Sequence, residues 1–199
     1  MPVALQRGMS TTYSQVVVGF DFSHSARAAL SRAIALATRA PFHVLHFVCA
    51  IEPHAPLPAV PGKQVDYEYA ERVQRALAGV IEEELRAADS AIRVHFYVHA
   101  RIGKPAEEIL QLAREVGADL IVVGSKGLTG VERIVLGSVS ERVVREAGCA
   151  VMVARPKTYE PVELLEVREV EPHLHYVPPH RYYYEDNRMS VRPAEWPIP

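Results

Sequence analysis

The sequence predicts an α/β fold built on a parallel sheet with helices on both faces. Three observations carry this. Short apolar runs alternate with longer helical periodicities, the β-branched run Val16–Phe20 lacks polar alternation, and turn residues separate the two patterns. Strands buried on both faces read as continuous apolar runs, and strands alternating with helices imply crossovers of one hand. The 199 residues leave room for a single domain of about 150 residues and an appendage.

The first strand is Val16–Phe20, with Asp21 at its carboxyl end. Ser23–Arg39 follows as a helix, because Ala26, Ala29, Leu30, Ala33, Ile34 and Ala37 recur at helical spacing behind Ser23, a suitable N-cap. Phe42–Val48 is the second strand. Pro53, Pro56, Pro58 and Pro61 then bar helix and interior strand, so a covering loop is expected. From Gln64 to Ala88 a helical stripe returns through Ala70, Val73, Leu77, Val80, Ile81 and Leu85. Arg93–Ala100 is the third strand, alternating His95, Tyr97 and His99 with Val94, Phe96 and Val98.

Pro105 opens a helix with the core face Ala106, Ile109, Leu110 and Ala113, ending at Gly117. Asp119–Val123 is the fourth strand. The loop Gly124–Gly137 leads to the helix Ser138–Ala147, which stops at Gly148 before the last strand, Ala150–Ala154. Beyond Pro156 the composition changes: this stretch holds seven of the fifteen prolines and five of the nine tyrosines. Three segments follow: a flexible N-terminus over 1–12, a domain over 13–156, and an irregular C-terminal arm over 157–199. Val162–Val170 alternates like a strand, whereas His173–Pro199 is too proline-rich for a regular element and too aromatic for a linker. Tyr182, Tyr183, Tyr184 and Trp196 are expected to pack on the domain or on a partner subunit, against the alternative of disorder.

Hydrophobic residues make up 49% and charged residues 23%, the balance of a globular chain. A formal charge of -2 gives no electrostatic reason to expect nucleic acid or an anionic membrane as partner. No apolar run reaches the roughly 18 residues of a membrane helix, and Met1–Thr12 lacks the apolar stretch of a secretory signal, so a cytoplasmic location is expected. Cys49 and Cys149 each lie in an apolar segment and are expected as buried, reduced thiols.

The most informative stretch is Gly124-Ser125-Lys126-Gly127-Leu128-Thr129-Gly130, followed after Val131–Leu136 by Gly137-Ser138-Val139-Ser140. It begins at a strand's end, where glycines let the backbone approach a ligand and point successive N–H groups at an anion. Gly137-Ser138 opens a helix, whose N-terminus favours phosphate. Competing glycine motifs fit poorly. No Gly-Lys-Ser or Gly-Lys-Thr occurs, Gly103-Lys104 being followed by Pro105, and Gly19 stands alone after the first strand.

At this point the sequence resembles the universal stress protein family, whose nucleotide-binding members carry G-x2-G-x9-G followed by Ser or Thr. Here these positions are Gly124, Gly127, Gly137 and Ser138. The similarity runs from about Tyr13 to Pro156 and includes Val18-Gly19-Phe20-Asp21-Phe22-Ser23, Leu45-His46-Phe47-Val48 and Asp119–Gly124. It implies a five-stranded parallel sheet of order 3-2-1-4-5, with ligand at the carboxyl ends of the strands where the chain reverses direction. It further implies that Asp21 and the backbone near Phe47 hold adenosine, with Val123 and Gly124 lining the cleft. Gly127, Gly137, Ser138 and Val139 would take the phosphates of ATP, with or without Mg2+.

Each residue keeps a plainer alternative. Asp21 and Ser138 are also good helix caps, Lys126 suits a solvated loop, and Ser140 can satisfy its own helix instead of a phosphate. His95 and His99, or His173 and His175, share a strand face, but without a carboxylate or thiol at ligand spacing they read as surface or half-buried histidines. No arginine finger or water-positioning carboxylate is assignable, so a nucleotide-dependent stress or signalling module is favoured over a slow ATPase or nucleotide-dependent transferase. The family commonly pairs through its last strand. A homodimer through Ala150–Ala154 is therefore expected, with the arm contributing.

Overall fold

The computed structural model describes residues 14–39, 43–87, 94–127, 136–156, 158–159, 181–185 and 188–192. The chain divides into two compact units, Met1–Pro156 and Lys157–Pro199. In the first, strands β1 (Ser14–Gly19), β2 (His43–Ile51), β3 (His95–Ile102), β4 (Leu120–Gly124) and β5 (Ala150–Ala154) alternate with helices α1 (His24–Arg39), α2 (Tyr67–Ala87), α3 (Pro105–Val116) and α4 (Ser138–Glu146). All neighbouring strands are parallel, in the order β3-β2-β1-β4-β5. This is the architecture the sequence led us to expect.

The unalternating run in β1 has its physical reason in the layers. Val16 and Val18 pack with Leu45, Phe47, Cys49 and Ile51 beneath α1 and α2, while Val17 joins Val48, Ile121 and Val123 on the α3 and α4 side. All three valines are fully buried. A one-residue slip against β2, where Val18 pairs with Phe47, would exchange these faces. β1 lies between β2 and β4, so the chain leaves it toward opposite sides of the sheet, and the crevice between the carboxyl ends of β1 and β4 is the topological switch point.

Helix ends follow their sequence signals. The Ser23 hydroxyl accepts the Ala26 N–H at 3.2 Å, capping α1. Pro105 opens α3, and Gly117, at φ 62°, closes it in the left-handed conformation. α2 begins three residues later than Gln64, because Asp66 accepts the Tyr69 N–H at 2.8 Å and acts as its cap. β2 and β3 both outrun the predicted ends. Cys49, Ala50 and Ile51 pair with Ala100, Arg101 and Ile102, so each extension supplies the other's hydrogen bonds.

The proline-rich loop is anchored from below. Tyr69 is fully buried, and its hydroxyl accepts the Leu57 N–H at 2.8 Å and donates to the Val60 carbonyl at 3.0 Å. Cys49 is buried, and burial followed by the nearby Asp21 charge pushes its thiol up to about 12. Cys149 departs from expectation: it is only half-buried, on the approach to an edge strand. No helix among the described residues is long and apolar enough to cross a membrane.

The second unit corrects one expectation. Strands β6 (Arg181–Glu185) and β7 (Arg188–Arg192) form an antiparallel ribbon in which Tyr182 pairs with Val191 and Tyr184 with Met189. The arm is thus not wholly irregular. Its prolines flank positions 181–192 and none lies within them, so the composition of the whole stretch hid a short β-prone window. The alternation over Val162–Val170, the pair His173 and His175, and Trp196 lie outside the described residues.

Candidate functional site

The crevice at the switch point is built from three stretches of chain. The first is the turn after β1. Asp21 Oδ1 accepts the Ser23 N–H at 3.0 Å, which fixes the carboxylate directly before α1. Ser23, itself buried, donates its hydroxyl proton to the Lys126 carbonyl at 3.4 Å and so ties this turn to the segment after β4. Between them Phe22 has φ 64°, the sole non-glycine residue with positive φ among the described residues.

The second stretch is Gly124–Gly127. A Cβ on Gly124 would stand 2.6 Å from the Ser25 carbonyl carbon and 2.9 Å from the Ala26 nitrogen, so the close approach of β4 to α1 admits only glycine. Ser125 is buried, donates its N–H to the Ala154 carbonyl at 3.0 Å, and accepts the Gly137 N–H at 2.8 Å. The Cβ position of Gly127 lies 3.0 Å from Asp21 Oδ2. Any side chain there would press on the carboxylate.

The third stretch is the start of α4. Gly137 occupies the N-cap position without a side-chain cap, and its Cβ position is 3.4 Å from Lys126 Cα and 3.5 Å from the Gly127 nitrogen. Residues 124–127 and 136–140 are thus stitched together, although residues 128–135 between them lie outside the described structure. Ser138 is exposed at the first turn of α4 and Val139 is half-buried against the second core. Ser140 is buried, its hydroxyl shared between the carbonyls of Gly137 at 2.9 Å and Ser125 at 3.3 Å, a bracing role within the helix start.

Asp21, Gly124, Lys126, Gly127, Gly137, Ser138 and Ser140 therefore gather at one rim. Phe47 and Val123 have buried side chains, and Phe47 pairs with Val18 within the sheet. The sequence reading treated Ser23 as a cap alone and assigned nothing to Ser125. The two-residue spacing from Asp21 to Ser23 was the available signal for the first, since aspartate commonly accepts the amide two residues on. Ser125 had none, because its partners lie 12, 15 and 29 residues away.

Chemically, the rim offers a fixed carboxylate beside a helix N-terminus and two glycines. Such a helix start supplies N–H donors and a positive dipole end, suited to phosphate, while the carboxylate suits a hydroxyl or amino donor. The histidines make no comparable site. His99 pairs with His46 rather than His95, Nε2 to Nδ1 at 3.2 Å, and His46 Nε2 meets Gln15 Oε1 at 2.9 Å. Burial, then the neighbouring His46 and Arg101, push His99 down to about 4, and burial lowers His46 too. Among the described residues no three His, Cys, Asp or Glu side chains are grouped to hold a metal ion.

Known proteins are similar to this chain. The family model described as "Universal stress protein family" matches residues 12–155. A universal stress protein of Methanocaldococcus jannaschii is 34% identical over 151 residues, covering 75% of this chain and 86% of that protein. Among solved structures, the universal stress protein UspA from Lactobacillus plantarum is 27% identical with a TM-score of 0.52, over 72% of this chain and 98% of that one. A universal stress protein in complex with cAMP is similar at 27% identity and a TM-score of 0.50, over 72% and 97%. The match spans every strand of the five-stranded sheet and both halves of the glycine-bearing segment, and the chain belongs to the universal stress protein family.

Proposed function

We propose that this protein binds ATP in the crevice at the carboxyl ends of β1 and β4 and works as a nucleotide-dependent stress or signalling module. One observation carries the reading: Gly127 brings the Asp21 carboxylate and the N-terminus of α4 to the same spot, where a side chain would crowd Asp21 Oδ2 at 3.0 Å. Asp21 and the backbone at Phe47 hold the adenosine, with Val123 and Gly124 lining the cleft. Gly127, Gly137, Ser138 and Val139 meet the phosphates chiefly through backbone N–H groups, and Lys126 adds charge. Ser140 serves by bracing the helix start. The relative in complex with cAMP supports an adenine nucleotide as the ligand class.

Mg2+, where it accompanies ATP, is held mainly by phosphate oxygens and water, as is usual for this ion. The protein pairs with a second copy through β5, an edge strand that presents the half-buried apolar side chains Val151, Met152 and Val153. The nucleotide reading is tested by releasing bound small molecules from freshly purified protein and weighing them. An adenine nucleotide should accompany the wild type and be missing from a Gly127→Val, Ser138→Ala double variant. Nucleotide carried equally by both would contradict the reading.

A further inference from the structure

Phe22 sits where a bulky residue is least expected. Its φ of 64° lies in the left-handed region, which glycine and asparagine adopt readily and which strains a phenylalanine. Strain of this kind persists only where surrounding structure enforces it, and it concentrates at functional sites. Here the enforcement is visible. The Phe22 ring packs edge-on against Phe20 with centroids 5.1 Å apart and leans on the α1/α2 core, while the next residue, Ser23, is held by the Ala26 amide and the Lys126 carbonyl.

The consequence falls on the residue before. A left-handed residue between Asp21 and Ser23 folds the chain so that the Ser23 N–H reaches back to Asp21 Oδ1 at 3.0 Å, and the other oxygen, Oδ2, is presented at Gly127. If Phe22 relaxed to negative φ, the Ser23 N–H would turn away and the carboxylate would lose that hydrogen bond. We infer that Phe22 is a positioning residue whose left-handed turn, locked by its ring on Phe20, aims the Asp21 carboxylate into the nucleotide crevice. The inference rests on the nucleotide reading above.

The test measures ATP affinity by calorimetry for the full chain and five variants, each first shown to fold by its thermal transition. Phe22→Gly and Phe22→Asn accept the left-handed turn, and should bind within about threefold of wild type. Phe22→Val, β-branched and intolerant of positive φ, should bind about tenfold or more weakly, the loss expected when a hydrogen bond to a charged group is misaligned. Should Phe22→Val fail to fold, Phe22→Ala replaces it, since alanine and glycine both delete the ring and differ in their tolerance of the turn. In an Asp21→Asn background the glycine and valine variants should bind alike, because the group being aimed has been blunted.

Equal affinity of the glycine and valine (or alanine) variants overturns the inference. A tenfold gap that persists undiminished in the Asp21→Asn background overturns it as well, since Phe22 would then act by another route. Failure of the wild type itself to bind ATP removes the nucleotide reading, and this inference with it.

Discussion

Gly124→Ala should be severely destabilising, and the structure gives the size of the effect. The new methyl would meet the Ser25 carbonyl carbon at 2.6 Å, its oxygen at 2.8 Å and the Ala26 nitrogen at 2.9 Å. These are backbone atoms of the first turn of α1, so no side chain can swing aside and strand and helix must separate by several tenths of an ångström. Overpacking of a rigid interior costs about 1–3 kcal/mol, and three backbone contacts place this substitution near the upper end. At about 2–4 °C per kcal/mol for a domain of this size, roughly 6–12 °C should be lost from the melting temperature. Thermal and guanidinium unfolding of Gly124→Ala beside Gly137→Ala provide the assay. The second methyl would find its nearest neighbour at 3.4 Å and should change stability by under about 1 kcal/mol. Indistinguishable stabilities for the two variants would refute the close β4–α1 approach on which the site is built.

Further outcomes follow from the same packing. Tyr69→Phe should strand the Leu57 amide and the Val60 carbonyl at a cost of about 1–3 kcal/mol and speed hydrogen exchange at Leu57; unchanged exchange would mean the loop is held otherwise. His99 is neutral in the fold because burial, His46 and Arg101 push it from 6.5 to about 4, against the opposing charge of Glu115. Its contribution to stability is therefore whole above pH 6.5 and drains away as pH falls toward about 4. Urea midpoints across that window should drop more steeply for wild type than for His99→Gln, and parallel slopes would contradict the assignment.

What the residues disclosed, and what they withheld, follows physical lines. Val16-Val17-Val18 could be read as a doubly buried strand because both faces exclude water there, and the ends of α1 and α3 were legible because Ser23, Pro105 and Gly117 act locally. The carboxyl ends of β2 and β3 were not, since residues 49–51 and 101–102 become strand through the pairing of β2 with β3. The β6–β7 ribbon was masked by prolines outside its span.

At the rim, the spacing of Gly127, Gly137 and Ser138 pointed to the right place, because it reflects one loop and one helix start. Gly124 turned out to have a packing reason of its own against α1. The roles of Ser125 and of the left-handed Phe22 depend on partners remote in sequence or on a conformation phenylalanine seldom adopts, so neither could be read locally.

The most direct test of the account is a calorimetric titration of the intact protein with ATP, beside Gly127→Val. The wild type should bind at submillimolar concentration. The variant, whose side chain would fall on Asp21 Oδ2, should bind at least about tenfold more weakly while melting as a folded protein. Equal binding by both proteins, or no binding by the wild type at millimolar ATP, would contradict the claim that Asp21, Gly127 and the start of α4 form a nucleotide cradle.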